Sequence, residues 1–164
     1  MSDFNRAIAY VPGFADAYYN RGNLKRELQD YPGALADYNR TIQLNSYHVD
    51  GWFNRGLVYI DMGNYQAAIQ DFNTVVGYSP DYVNAYNNRG IARIGLGDNQ
   101  NAVRDFDKAL SLYPQYADAF FNRGLAKSNL GDRAGACADW TQSAAYGFQR
   151  AEQLLIEEKC NDSK

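Results

Sequence analysis

The chain has 164 residues, with 16 lysines and arginines against 19 aspartates and glutamates, and is 46% hydrophobic and 15% aromatic. That length and composition suffice for a folded core and exclude general disorder, while a net charge of −3 leaves no broad basic footprint for neutralising phosphates. Two cysteines, Cys137 and Cys160, are too few for a disulfide framework, so the composition does not demand an oxidising compartment. Met1 to Tyr10 contains Asp3, Asn5 and Arg6, hence no hydrophobic signal region, and no run approaches the roughly 18 apolar residues of a membrane helix.

The sequence repeats itself. Asn-Arg-Gly occurs at 20–22, 54–56, 88–90 and 122–124, each copy 34 residues after the last. The same step carries Asp37-Tyr38 to Asp71-Phe72, Asp105-Phe106 and Asp139-Trp140, and carries Ala34 to Ala68, Ala102 and Ala136. Aromatic residues stand two positions before each asparagine, at Tyr18, Trp52, Tyr86 and Phe120.

In chain order, residues 1–14 read as the second half of a unit, because Asp3-Phe4-Asn5-Arg6 matches Asp37-Tyr38-Asn39-Arg40. Phe4 and Ile8 then lack the partner helix that their counterparts have. Either they meet another subunit or the chain is cut from a longer array. Residues 15–48 form the first complete unit. Ala17, Leu24 and Leu28 repeat at helical spacing, and Ala34, Leu35, Tyr38, Thr41 and Ile42 make a second apolar stripe. Between them, Asp30 is placed to cap the second helix, with Pro32 in its first turn. Units 49–82, 83–116 and 117–150 follow, with turns at Gly63-Asn64, Gly97-Asp98 and Gly131-Asp132, where a glycine stop precedes a capping side chain. Residues 151–164 start a fifth unit but turn polar at Glu157-Glu158-Lys159, as a capping helix and tail would. The C-terminal end reads as a stop, and the N-terminal end does not.

The 34-residue period and its aromatic, small, small, aromatic columns, read in the first unit as Tyr18, Gly22, Ala34 and Tyr38, resemble the tetratricopeptide repeat family. The resemblance implies an all-α solenoid, a right-handed superhelix of helix-turn-helix repeats with a concave face built from the first helices. It also implies a scaffold that binds other proteins. Ser46 and Phe148 replace the usual proline, and Lys25, Arg93 and Lys127 stand where the family often has an aromatic, which is expected to weaken individual contacts.

On the concave face the asparagine column persists in all four units. Asn costs roughly 0.5–0.7 kcal/mol against Ala inside a helix, so four of them suggest a compensating hydrogen-bonding role. Asn20, Asn54, Asn88 and Asn122 can serve as a ladder that grips the backbone of an extended peptide, since an amide both donates and accepts. A similar ladder is known in some superhelical relatives. The alternative is that each Asn bonds a neighbouring helix and fixes the repeat geometry. Tyr19, Phe53 and Phe121 would edge this groove, or else pack between repeats. Asp16, Asp50 and Asp118 would add negative charge, or else cap helices. Together they favour a protein or peptide partner with apolar and basic residues. The family's carboxylate clamp needs cations where this chain has Tyr19, Asn23, Asn54, Asn84 and Asn88, so binding of chaperone tails is disfavoured.

The Arg21, Arg55, Arg89 and Arg123 column lies where the family commonly has a leucine facing the second helix; an inward arginine needs a partner, which the Asp37, Asp71, Asp105 and Asp139 column can supply, and the alternative, a phosphate-binding array, would be cancelled by those aspartates. Nothing supports enzyme chemistry. His48 reads as a surface residue in a turn, Cys137 as small core packing and Cys160 as an exposed thiol. No cofactor, metal, nucleic acid or membrane insertion is expected. A structural array that self-associates through its incomplete N-terminal unit, and an accessory domain of a larger protein, remain as alternatives. The sequence names no compartment, although the cytoplasm is favoured if the chain is complete.

Overall fold

A computed structural model describes residues 1–160, and all regular structure among them is α-helical. The helices are α1 (Ser2–Tyr10), α2 (Ala15–Glu27), α3 (Tyr31–Leu44), α4 (Val49–Asp61), α5 (Tyr65–Tyr78), α6 (Val83–Gly95), α7 (Asn99–Leu112), α8 (Ala117–Asn129), α9 (Arg133–Ala145) and α10 (Gln149–Glu157). They fall into two compact units, one of residues 1–80 and one from residue 81 onward.

Local chemistry sets the helix boundaries. The second helix of each pair starts at a side-chain cap: Asp30 accepts from the Gly33 N–H at 3.0 Å, Asn64 from Ala67 at 3.3 Å, Asp98 from Asn101 at 3.4 Å and Asp132 from Gly135 at 2.9 Å. Just before three of these caps the backbone turns left-handed at Gly63, Gly97 and Gly131, with φ of 74°, 76° and 81°. In the first pair Gln29 takes that conformation with φ 60°, where a side chain is strained.

Within each pair, one close approach sets the packing. A Cβ on Gly22 would come within 2.9 Å of the Tyr38 ring, and Gly56, Gly90 and Gly124 stand in the same relation to Phe72, Phe106 and Trp140 at 2.8, 2.7 and 2.5 Å. The four rings are 0–2% exposed. The glycine column therefore lets the helices close over rings that would otherwise hold them apart.

Beside each ring lies an ion pair. Arg21 donates from Nε and Nη2 to the two carboxylate oxygens of Asp37 at 2.8 and 2.6 Å, and Arg55, Arg89 and Arg123 fork Asp71, Asp105 and Asp139 in the same way. The third nitrogen reaches the second helix of the preceding unit: Arg21 Nη1 donates to Asn5, Arg55 to Asn39 and Arg123 to Asp107, at 2.8, 2.6 and 2.6 Å. One guanidinium thus ties three helices together. Each also lies over the aromatic three residues earlier, Tyr18, Trp52, Tyr86 or Phe120, at 4.8–5.5 Å from the centroid.

Three sequence expectations need correction. Lys25, Arg93 and Lys127 do not weaken their units. They supply a second cation to Asp37, Asp105 and Asp139 at 2.7–2.8 Å. His48 is not a surface residue: its side chain is 13% exposed, and it is the N-cap of α4, with Nδ1 accepting from the Gly51 N–H at 2.9 Å. Cys137 and Cys160 are not independent thiols but a disulfide, which ties the residues after α10 back to α9. Closing a loop across their separation of 23 residues is worth about 3 kcal/mol of chain entropy. Around this end, Phe121, Ala136, Trp140 and Ala151 form a buried cluster, flanked by Phe148, Leu154 and Leu155.

Candidate functional site

In the first unit, Asn54 on α4 sits at the centre of a polar cluster. Its Nδ2 donates to the Tyr19 hydroxyl at 2.9 Å and to Asn23 Oδ1 at 3.0 Å, both on α2. Asn23 Oδ1 also accepts from the Tyr38 hydroxyl at 2.7 Å. Burial pushes the Tyr38 phenol well above its ordinary pKa, so it stays a donor across the physiological range. The remaining polar atoms of the two amides, Asn23 Nδ2 and Asn54 Oδ1, are left as one donor and one acceptor.

They border a cavity of about 400 Å³, which Arg26, Glu27, Gln29, Tyr31 and Asp61 also line. Arg26 Nε meets Asp61 at 3.1 Å, which neutralises one carboxylate and leaves the excess charge negative through Glu27. Amide, phenol and carboxylate groups converge here without a nucleophile and base in contact. The arrangement can hold a polar chain through these donors and acceptors.

The other predicted residues divide into exposed and packed sets. Asn20 is exposed and makes no side-chain hydrogen bond to a described residue. Asp16 is exposed, with His48 Nε2 at 3.4 Å, and Asp50 and Asp118 are exposed on the first turns of α4 and α8. None of the three is the N-cap, since Phe14, His48 and Tyr116 hold those positions; their charges favour the helix N-termini through the macrodipole instead. Tyr19 is wedged between His48 and Tyr38, with centroids at 4.7 and 6.2 Å, and Phe53 lies against Phe72 at 5.7 Å. Phe121 is 4% exposed and stacked on Phe148 at 4.8 Å, so it is a core residue and no groove edge.

In the second unit, Asn122 Nδ2 donates to Asn87 Oδ1 at 3.3 Å, and Asn88 Nδ2 donates to the Asn84 carbonyl of its own helix at 2.8 Å. Asn54 and Asn122 therefore make the same bond, to the residue 35 positions earlier, Tyr19 or Asn87. Tyr116, the N-cap of α8, donates to Asn84 Oδ1 at 2.9 Å, and burial with the nearby Asp118 raises its phenol to about 12.

Asn23 is the site residue that the column search left aside, because Leu57, Ile91 and Leu125 occupy its place in later units. Its tyrosine neighbours were the available signal: an amide among Tyr19, Tyr38 and Asn54 has to be a hydrogen-bonding node.

Comparison with known proteins agrees with the helical repeat fold. Family models described as tetratricopeptide repeat match residues 23–82 and 83–116. No curated protein matches the sequence. Among solved structures, a MamA protein is 27% identical with a TM-score of 0.79, covering 88% of this chain and 82% of that one. MamA from Desulfovibrio magneticus RS-1 is 20% identical, with a TM-score of 0.83 over 90% of this chain and 82% of that one. The first TPR of Spaghetti (RPAP3), bound to the HSP90 peptide SRMEEVD, is 25% identical, with a TM-score of 0.70 over 71% of this chain and 93% of that one.

Proposed function

From the premise that this chain belongs to the tetratricopeptide repeat family and is a protein-interaction scaffold rather than an enzyme, we propose that it holds an extended peptide against its first helices by main-chain recognition. The observation that carries this reading is the Asn23–Asn54 pair, whose donor and acceptor border the 400 Å³ cavity. A peptide unit presents one N–H and one C=O, so it can satisfy both amides without its side chain being read. Among the described residues Asn20 and Asn88 make no side-chain hydrogen bond to a neighbouring helix, and each makes the same offer within its own unit. The similar TPR domain bound to an HSP90 peptide supports a peptide as the kind of ligand. The ligand chemistry differs, because Glu27 in the cavity and the exposed Asp16 favour a partner with basic residues over an acidic tail.

The Cys137–Cys160 bond supports an oxidising compartment over the cytoplasm, since cytosolic thiols are kept reduced. Among the described residues no helix is long and apolar enough to cross a membrane.

A pull-down read by mass spectrometry tests the peptide reading, with the intact chain set against Asn23→Ala and Asn88→Ala. Partners enriched on the intact chain should fall at least about tenfold on Asn23→Ala, as expected for a lost hydrogen bond to a buried peptide group. The melting temperature of Asn88→Ala should stay within a few degrees, because its side chain bonds only its own helix. Retention of every partner by both variants would sink the reading.

A further inference from the structure

The helices that open each repeat start in one way, and α4 is the exception. Their N-caps are Phe14, Tyr82, Tyr116 and Phe148, each followed three residues later by an alanine, and none of these four side chains makes a cap hydrogen bond. Helix α4 departs at both positions, with His48 and Gly51, and the two departures meet: His48 Nδ1 accepts from the Gly51 N–H at 2.9 Å. A Cβ on residue 51 would lie 3.2 Å from that nitrogen and 3.3 Å from the Thr41 methyl group, so the alanine of the other helices would crowd the ring off the N–H. His48 is also the only histidine of the chain.

The partners of the ring fix its state. Because Nδ1 accepts, the ring is neutral and its proton sits on Nε2, which lies 3.4 Å from Asp16 Oδ1 on α2. The ring packs on Tyr19 with centroids at 4.7 Å, and the Tyr19 hydroxyl accepts from Asn54 Nδ2 in the candidate site. The ionisable groups at this corner are therefore Asp16 and Tyr19 of α2, with Asp50 two residues on in α4, while α3 meets it through the Thr41 methyl group. The His48 side chain is 13% exposed, and its Nε2 edge opens toward an Asp16 side chain that is 63% exposed.

We propose that His48 is a pH-sensitive latch on the candidate site, closed while its imidazole is neutral and opened by a second ring proton; its effect on a ligand rests on the peptide reading above. A proton from solvent adds at Nδ1, the one ring nitrogen without a hydrogen. Nδ1–H then faces the Gly51 N–H, donor against donor, and the new charge sits at the positive end of the α4 dipole. Both effects push the ring off α4, and the Asp16 carboxylate draws it the same way through Nε2. Gly51 keeps its backbone bond to the His48 carbonyl at 3.0 Å, so the first turn of α4 survives and only the ring swings. Leaving the Tyr19 face, the ring withdraws support from the phenol that receives Asn54, and the site loosens in acid.

The test follows the isotope-labelled full chain by NMR from about pH 8 to about pH 5, the range in which imidazoles change charge. The Gly51 amide and the Asn54 side-chain amide should shift together along one titration curve. Both should stay flat in His48→Asn, which keeps a capping side chain without an ionisable ring, and in His48→Phe, which restores the aromatic of the other helices. Asp16→Asn removes the carboxylate that favours the charged ring, so the midpoint of the curve should move to lower pH. In the pull-down, partners of the parent chain should fall about two- to tenfold from one end of that range to the other, as for one lost hydrogen bond, and should hold on His48→Asn. A Gly51 amide that titrates while Asn54 stays still would overturn the latch. So would a curve that persists in both His48 variants, a midpoint unmoved by Asp16→Asn, or an equal loss of partners in acid by the parent and His48→Asn. Partners indifferent to Asn23→Ala would strike the peptide reading alone, since the two amide resonances are read without a ligand.

Discussion

The first two helix pairs carry the same buried carboxylate in different company. Asp37 receives Arg21 and Lys25, whereas Asp71 receives Arg55, and Tyr59 stands where Lys25 does in the first pair. Arg55 lies over that Tyr59 ring at 5.8 Å and over Trp52 at 4.8 Å. Burial pushes both carboxyls toward higher pKa. Hydrogen bonds from Arg21 and Lys25 more than offset it at Asp37, which ends below its ordinary value, while Arg55 alone does not offset it at Asp71, which ends above. At Asp37 the Lys25 hydrogen bond adds to that of Arg21, and the carboxylate of the first pair is held ionised where that of the second is not favoured.

Removing each carboxylate tests this most strongly. Asp37→Asn leaves two cations facing a neutral amide and should cost about 3–5 kcal/mol in urea unfolding. Asp71→Asn leaves one, already stacked between two rings, and should cost about 1–3 kcal/mol. Equal losses would break the comparison.

Acid titration gives the two sites opposite signs. Asp37, with its pKa depressed, adds stability that is present above the unfolded value near 3.9 and lost as pH falls below it. Asp71, with its pKa raised, is protonated more readily folded than unfolded, so it adds stability as pH falls through the window above about 3.9. Urea midpoints followed from pH 6.5 toward pH 3, a range chosen to span roughly both windows, should therefore fall less steeply for Asp37→Asn than for the parent, and more steeply for Asp71→Asn.

The smallest effect lies in the turns of the same two pairs. Gln29 holds φ 60° where the second pair has Gly63 at 74°. Gln29→Gly should gain about 1 kcal/mol and Gly63→Gln lose about as much, read as shifts in thermal midpoint.

Much of this architecture was legible in the sequence. The caps at Asp30, Asn64, Asp98 and Asp132, the glycine turns and the Arg–Asp pairing all depend on spacings within one unit, which a 34-residue period exposes column by column. The candidate site was less legible. Its pivot, Asn23, occurs in one unit and so belongs to no column, and Phe121 looked like Tyr19 and Phe53 in sequence although the C-terminal helix buries it.

The sequence by itself determined the repeat, the helices, their ends and the partners that face each other across a helix pair, because those follow from short-range geometry and volume. Tertiary structure alone decided what crosses between pairs: Asn54 bonding Tyr19 and Asn23, the third nitrogen of Arg21, Arg55 and Arg123 reaching Asn5, Asn39 and Asp107, and Cys137 meeting Cys160. Those contacts depend on how far one pair is rotated against the next. That rotation is set by packed side chains summed over a whole interface, and no single spacing along the chain records it.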